Sequence, residues 1–200
     1  NKEMEFWTQE EFQAFLECVA DKPISYYSFE MLYWTGIREG ELLALTPSDF
    51  NFEKKTLRIN KSYQRLEGED VITDPKTPKS NRTIVMPDFL AVEMENFISS
   101  LYGIRDDDRI FTISKSYLHH EMDRGAKLAG VKRIRIHRLR HSHISLLIIL
   151  GFSALAIGER VGHEAVDITY HYAHLFPTVQ TDMAAQLETE REALVNVRKE

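Results

Sequence analysis

The chain has 200 residues, of which 43% are hydrophobic and 28% charged, and its formal net charge is −6 at pH 7. This balance is typical of one globular domain and excludes collagen-like, fibrous and largely disordered chains. A transmembrane helix needs about 18 or more unbroken apolar residues. The longest apolar run, at 144–157, is shorter and is interrupted by polar residues and Gly151, so it predicts a buried core helix and no membrane partner. The single cysteine, Cys18, excludes an internal disulfide framework and favours a reducing cytosol.

The order of hydrophobic patterns predicts an α+β fold that is mainly α-helical. Thr8 and Glu11 form a capping box that opens a first helix reaching about Ala20. Further helices are predicted at about 25–35, 38–45, 87–100, 115–129, 137–150, 153–162 and 178–195. Strands are predicted at 56–59, 71–72 and 83–85, and we expect them to form one small three-stranded antiparallel sheet near the N-terminal third.

The charges are segregated along the chain. Acidic side chains dominate residues 1–21, whereas residues 124–143 contain many basic side chains and no Asp or Glu. A local basic face can bind phosphate groups even on an acidic protein, because salt screens each patch over about 10 Å. From charge alone, this stretch indicates either a nucleic-acid surface or a solvated basic loop.

Arg38 is the first candidate for binding an anion. Gly36 permits a tight turn before it, and Arg38 lies at the start of the helix that follows. Glu41 lies one turn further on, where it can brace the guanidinium group. A half-buried Arg at a helix start suits a phosphate or carboxylate ligand, although a purely structural ion pair with Glu41 remains open.

The segment His137-Arg138-Leu139-Arg140-His141 is the second candidate. Positions i, i+3 and i+4 of a helix share a face, so we expect His137, Arg140 and His141 to point together. Such a group could bind a phosphate and transfer a proton. The alternatives are a solvated basic face and a metal site, because the two histidines have the spacing of metal ligands.

His163 and Tyr172 are the last candidates. His163 follows Gly162 at an expected helix end, and Tyr172 follows in the segment 169–175. A lone His or Tyr is more often structural than functional. However, the chain contains in order an Arg, a Lys-bearing turn, His-x-x-Arg, Gly-His and Tyr, and this order favours a shared function.

In this order the motifs resemble those of the tyrosine recombinase family, the phage-integrase type of site-specific DNA recombinase. The resemblance covers about Thr8 to Leu175 and is to integrases of phages and conjugative transposons. It implies the catalytic-core fold of that family for residues 1–176 and a C-terminal helical tail at 177–200 that could dock on a neighbouring protomer. We expect the family's N-terminal DNA-binding domain, which precedes the resembled region, to be absent from this fragment.

The resemblance also implies a role for individual residues. Tyr172 would be the nucleophile, with Tyr170 as a second tyrosine nearby. The other implied catalytic residues are Arg38, Lys76, His137, Arg140 and His163. The implied DNA contacts are Lys79, Arg82, Arg133, Arg135 and Arg138.

The implied activity is cleavage and rejoining of DNA strands through a 3′-phosphotyrosine intermediate, with no metal, cofactor or ATP, for integration or excision of a mobile element. The implied partners are double-stranded DNA attachment sites, a homo-tetramer on that DNA, and an accessory DNA-bending or excision factor. The implied location is the bacterial cytoplasm or nucleoid.

Three alternative functions stay open at this point. A type IB topoisomerase shares the chemistry but relaxes supercoils without exchanging strands. A DNA-binding module without catalysis is disfavoured, because it would need no phenol at position 172. A metal-dependent hydrolase could be built on His119, His120, His137, His141, His163, His171 and His174.

Overall fold

The computed structural model describes residues 5–75, 77–176 and 180–197, with side chains described up to residue 192. Its helices are α1 (Gln9–Val19), α2 (Pro23–Thr35), α3 (Glu39–Ala44), α4 (Asp88–Ser100), α5 (Lys115–Ala129), α6 (Arg138–Ile149), α7 (Ala154–Val161), α8 (Ala165–Tyr172) and α9 (Gln180–Val197). Its strands are β1 (Phe50–Asn51), β2 (Thr56–Ile59), β3 (Ser62–Leu66), β4 (Glu69–Thr73) and β5 (Arg82–Val85). The predicted fold class, mainly helical with small antiparallel sheets, is confirmed.

Capping side chains explain where several helices begin. Glu11 N–H donates to Thr8 Oγ1 at 3.2 Å and Thr8 N–H donates to Glu11 Oε2 at 2.9 Å, which confirms the predicted capping box. Ser114 and Ser153 each accept a hydrogen bond from a backbone N–H in the first turn of α5 and α7. Each cap satisfies a backbone donor that would otherwise lack a partner, and stabilises its helix by about 1 kcal/mol.

The three-stranded antiparallel sheet is confirmed, but one of its strands differs from the prediction. β2 lies between β1 and β5, so that Leu57 is opposite both Phe50 and Ile84. The predicted strand at 71–72 belongs to β4, which pairs with β3 in a separate two-stranded sheet. Apolar alternation identifies a strand, but the turns and the packing decide which neighbour it pairs with.

The region after residue 138 departs furthest from the sequence expectations. The apolar run at 144–157 is not one buried helix, because the chain turns through Gly151, at φ 92°, between α6 and α7. The sequence does not predict α8. Only Ile168 and Tyr172 of this helix are buried, so two positions alone carry its helical period.

Among the described residues, the buried apolar side chains form two hydrophobic clusters, and α6 contributes to both. The main cluster contains buried side chains from all five helices α1 through α5 and from the three-stranded sheet, and it includes Leu139 of α6. The smaller cluster joins α6, α7 and α8. Its members are Ile144, Ile148, Ile157, Val161, Ile168 and Tyr172. Arg140 follows Leu139 on α6 and therefore lies where the two clusters meet.

Gly36 lets α3 begin close against α6. Its φ of 67° is in the left-handed region that favours glycine, and a Cβ there would lie 2.5 Å from His143 Cδ2. Any other residue would therefore separate the two helices. This close approach brings Arg38 and Arg140 to the same side of the molecule.

Candidate active site

A cleft of about 990 Å³ lies where the starts of α3 and α6 meet the end of α7. Four of the predicted catalytic residues line it, namely Arg38, His137, Arg140 and His163. The turn before β5 contributes another wall, which includes Lys79. Residues that are far apart in the sequence therefore converge on one surface.

Glu41 holds two arginines beside this cleft. Its Oε1 accepts hydrogen bonds at 3.0 Å from Nη1 of both Arg38 and Arg82, and its Oε2 accepts one at 3.0 Å from Arg82 Nη2. Burial alone would raise the pKa of Glu41, but the hydrogen bonds and charge of Arg82, together with Arg38, hold that pKa below its usual value. The carboxylate therefore stays ionised at neutral pH and fixes Arg38, whose side chain is 41% exposed.

The sequence analysis assigns Arg82 to DNA contact, but the structure buries this residue. Its side chain is only 5% exposed. Its Nε donates to Arg160 O at 2.8 Å, and its Nη1 also donates to Ser80 O at 3.0 Å. Because its nitrogens face Glu41 and these carbonyls, Arg82 does not offer its guanidinium group to DNA. Its role is to neutralise Glu41 and to hold β5 against α7.

Arg140 is a buried cation held by neutral groups. It is 8% exposed, its Nη1 donates to Gly36 O at 2.7 Å, and its Nη2 donates to Val161 O. Burial, and then the charge of Arg38, lower the pKa of Arg140 to about 9, so it remains protonated at pH 7. Carbonyl acceptors orient the guanidinium group without neutralising it, so the cleft favours a bound anion.

The two cleft histidines are mainly neutral at pH 7. Burial, and then the charges of Arg140 and Arg38, lower the pKa of His163 to about 4. Burial also lowers the pKa of His137. A neutral imidazole has one N–H donor and one acceptor nitrogen. Each ring can therefore donate a hydrogen bond to a bound anion or accept a proton.

Tyr172 is not among the described residues that line the cleft. Its ring is 3% exposed and belongs to the smaller cluster, and its hydroxyl contacts Nδ1 of His141. Burial raises the pKa of Tyr172, and the charges of Arg140 and Arg138 offset this only in part. Tyr170 on the same helix is 82% exposed. Tyr172 is therefore the buried tyrosine of the pair and the one beside the charge of Arg140.

Two of the predicted DNA contacts already have acidic partners on the surface. Lys79 pairs with Glu164, and Arg133 Nε lies 2.6 Å from Asp123 Oδ1. Exposed ion pairs of this kind contribute little to stability. Both basic side chains can therefore exchange a carboxylate for a phosphate at little cost.

The other predicted basic residues lie before and after His137 in the sequence. Arg135 is exposed, and Arg138 is half-buried in the first turn of α6. Burial is the largest cause of the lowered pKa of His141, and the charge of Arg138 is the second. Lys76, the predicted lysine of the turn before β5, lies outside the described residues.

Sequence reasoning missed Arg160, which holds α7 in place. Its Nε donates to His143 Nε2 at 3.1 Å, its Nη1 to Val85 O at 2.9 Å, and its Nη2 to Trp34 O at 3.1 Å. Burial lowers the pKa of His143 to about 3, so its ring is neutral and can accept this bond. Arg160 thereby fixes the end of α7 that carries His163. In the sequence it shows only as a basic residue in the last turn of a helix.

Within the described residues, no group of three or more His, Cys, Asp or Glu side chains is placed to hold a metal ion. The rings of His137 and His141, which have the spacing of metal ligands, are 5.9 Å apart at their centroids, and His141 contacts Tyr172 instead. In the same part of the chain, the structure contains no helix long and apolar enough to cross a bilayer.

Comparison with known proteins identifies the class of fold and then the family. The fold is that of tyrosine recombinase catalytic domains. The model of the family described as "Phage integrase family" matches residues 5–178. This chain therefore belongs to the phage integrase family.

Two relatives show the extent of the similarity. The ICEBs1 integrase of Bacillus subtilis (strain 168) is 32% identical over 202 residues, covering 94% of this chain and 55% of the relative. The integrase of Staphylococcus phage L54a is 31% identical over 172 residues, covering 77% of this chain and 49% of the relative. The chain thus spans about half the length of the curated relatives it matches.

Solved structures extend the similarity in fold. A structure of the Tn1549 transposon integrase in complex with circular intermediate DNA matches with a TM-score of 0.76 at 20% identity, covering 96% of this chain and 66% of that one. The catalytic domain of bacteriophage HP1 integrase matches with a TM-score of 0.64 at 20% identity, covering 92% and 95%.

Proposed function

We propose that this chain is the catalytic part of a site-specific DNA recombinase, which cleaves and rejoins strands through a 3′-phosphotyrosine intermediate to integrate or excise a mobile element. The observation that carries the proposal is the convergence of Arg38, Arg140 and His163 on one cleft, with Tyr172 on the helix that packs against α7. Membership of the phage integrase family supports it, as do relatives named integrases.

The cleft suits the transition state of phosphodiester cleavage. Attack on the phosphorus adds negative charge to the nonbridging oxygens. Arg38 and Arg140 can bind those oxygens through paired N–H groups, and His163 can donate a third hydrogen bond. Preorganised donors of this kind lower a barrier by about 3–4 kcal/mol each. Little reorganisation is needed, because Glu41 and two backbone carbonyls already fix the guanidinium groups.

Tyr172 is the proposed nucleophile. With an ordinary pKa of about 10, forming the phenolate at pH 7 costs about 4 kcal/mol, and burial raises that pKa in the observed position. Moving the hydroxyl into the cleft, where Arg38 also lies, would reduce its burial and add to the effect of Arg140, which lowers the cost. The phenol oxygen then bonds to phosphorus while its proton passes to His137 or to an acceptor that His137 orients.

The bond to the deoxyribose 5′ oxygen breaks in the same step. The products are a 3′-phosphotyrosine ester and a free 5′ hydroxyl. Because the ester conserves the energy of the broken bond, a 5′ hydroxyl from another strand can attack it and restore a phosphodiester without ATP.

We propose Lys76 as the acid that protonates the departing 5′ oxygen. Lys76→Ala should slow cleavage of ordinary DNA by about 10²–10⁴-fold, the usual contribution of general acid catalysis. The same variant should cleave normally when sulfur replaces that oxygen, because a thiolate leaves without a proton. The measurement is the rate of covalent adduct formation on the two substrates.

Lys79→Ala is the matched control for this acid. Lys79 belongs to the same turn, and its partner is Glu164. Because Lys79 is also a proposed DNA contact, the variant should change the rates on the oxygen and sulfur substrates by the same factor. An equal defect of Lys76→Ala on the oxygen and sulfur substrates would contradict the acid role.

The proposed reaction uses no metal, cofactor or ATP, because arginine charge takes the part that a metal ion plays in other phosphoryl transfers. The test uses the 200-residue chain and nicked duplexes whose sequence around the nick is randomised. Cleavage near the nick releases a short end of the duplex, so that the covalent intermediate is trapped. We expect an SDS-resistant protein–DNA adduct that forms equally well in EDTA. Absence of adduct under both conditions would contradict the proposal, and cleavage abolished by EDTA would favour the metal-dependent hydrolase.

We propose that Lys79, Arg133, Arg135 and Arg138 contact the DNA backbone. Their support is the excess of basic residues at 124–143 and the weakness of the surface ion pairs that two of them form. Contacts with phosphates position a duplex without reading its bases. This set does not include Arg82, because its guanidinium group is buried against Glu41.

The proposed assembly is a homo-tetramer on DNA attachment sites, with an accessory DNA-bending or excision factor. In this proposal residues 1–176 form the catalytic domain and 177–200 form a tail that docks on a neighbouring protomer. Met183 and Leu187 of α9 are 50% and 70% exposed, and covering them would stabilise an assembly. Solved structures of similar fold in complex with DNA, those of the Tn1549 integrase and of XerH bound to difH, support DNA as the partner. The proposed location is the bacterial cytoplasm or nucleoid.

A further inference from the structure

The contact between His141 and Tyr172 has no part in the chemistry described above. His141 follows Arg140 on α6, but neither His141 nor Tyr172 is among the described residues that line the cleft. The two rings have centroids 5.6 Å apart, and the Tyr172 hydroxyl meets Nδ1 of His141. This imidazole therefore serves the tyrosine and not the anion site.

The surroundings of Tyr172 explain why its hydroxyl needs this partner. The ring lies among Ile144, Ile148, Ile157 and Ile168, which offer no hydrogen-bonding side chain. A buried hydroxyl without a partner carries a desolvation penalty. His141 removes that penalty, and so it stabilises the buried position of the tyrosine relative to any other position.

The acid–base properties of the pair favour a hydrogen bond between Tyr172 and His141 over transfer of the phenol proton to His141. Burial, and then the charge of Arg138, lower the pKa of His141 to about 4. Burial raises the pKa of Tyr172. Transfer of the phenol proton to this imidazole is therefore strongly unfavourable, since a general base works best with a pKa near the operating pH. In this arrangement the two groups form a neutral hydrogen bond.

We propose that His141 is a positioning residue, which holds Tyr172 in the buried position and must release it before the hydroxyl enters the cleft. The inference rests on the proposed function for the role of Tyr172 as nucleophile. The holding contact itself is a property of the DNA-free chain and can be measured without any cleavage. His141→Leu should increase the access of reagents to Tyr172 by about 3- to 10-fold, the usual effect of one buried hydrogen bond.

The experiment is nitration of the DNA-free chain by tetranitromethane. Tyr170, which is 82% exposed, is an internal reference on the same helix. Both tyrosines belong to the tryptic peptide 161–191, so fragment ions give the ratio of nitration at Tyr172 to that at Tyr170. His141→Leu should raise this ratio. His141→Asn should keep it near the wild-type value, because the Asn amide places a hydrogen-bonding group close to the position of Nδ1.

Three nitration results would overturn the proposal. The first is an unchanged ratio in His141→Leu, and the second is an equal rise in His141→Asn. The third is a rise in His141→Leu that Tyr33 shares, because Tyr33 is 1% exposed in the main cluster and its nitration would mean general unfolding.

Adduct formation on the nicked duplexes separates this proposal from the proposed function. His141→Leu should form adduct at least as fast as the wild type, since it removes a contact that must break. Loss of adduct in this variant beside an active wild type would overturn the positioning role, because His141 would then be needed in the chemistry. If the wild type forms no adduct but the nitration ratio rises, the proposed function fails and the holding contact stands.

Discussion

Tyr172→Phe should abolish the covalent protein–DNA adduct and leave DNA binding unchanged. The variant removes only the hydroxyl that would become esterified, and a phenyl ring still fills the place of Tyr172 in the smaller cluster. Without a nucleophilic oxygen, the bound phosphodiester has nothing in the protein to attack it. The measurement compares SDS-resistant adduct with total bound DNA for the wild type and the variant, at the same protein concentration.

Tyr170→Phe is the matched control, because it removes the same hydroxyl two positions away on the same helix. Tyr170 is 82% exposed, whereas Tyr172 is 3% exposed and lies beside the charge of Arg140. We expect Tyr170→Phe to form as much covalent adduct as the wild type. Adduct that persists in Tyr172→Phe and vanishes in Tyr170→Phe would assign the reaction to the exposed tyrosine and refute the proposed site.

Glu41→Gln should lower the free energy of unfolding by about 3–5 kcal/mol, because it leaves a buried guanidinium group without its carboxylate. The side chains of Arg82 and Glu41 are 5% and 7% exposed, so water cannot replace the lost partner. Denaturant unfolding at pH 7 measures the change. The variant should also cleave DNA more slowly, since Arg38 loses the group that fixes it at the cleft.

Glu159→Gln, an exposed substitution on α7, is the control and should change stability by no more than about 0.5 kcal/mol.

The folded protein holds the pKa of Glu41 below its usual value. The stability that Glu41 supplies is therefore present above the ordinary glutamate range and is lost as the pH falls through the folded pKa. The difference between wild type and Glu41→Gln should shrink in acid. A difference below about 1 kcal/mol at neutral pH, the value of an exposed pair, would contradict the proposed dependence of Arg82 on Glu41.

Local signals in the sequence predicted most of the helices but not all of the strand pairing. The capping box at Thr8 and Glu11 identifies the start of α1, because its hydrogen bonds join residues close in the sequence. The sequence predicts the strand at 71–72, but it predicts no strand at β3, with which this strand pairs. The strand β1 has only 2 residues and is too short to show alternation.

The sequence likewise predicted part of the candidate site and missed the rest. Motif order predicted Arg38, Arg140 and His163, and the structure brings all three to one cleft. The burial of Arg82 was not predictable from local spacing, because its carboxylate partner lies 41 residues away in the sequence. Helical spacing placed His141 on the face of His137 and Arg140, but packing against α8 gives it a different partner.

Peptide mapping of the trapped adduct tests the central claim most directly. The wild-type chain is trapped on the nicked duplexes, digested with nuclease and trypsin, and analysed by mass spectrometry. The account predicts that the residual nucleotide lies on the peptide 161–191 and that fragment ions place it on Tyr172. A nucleotide found on Tyr170, or on any other residue, would contradict the account.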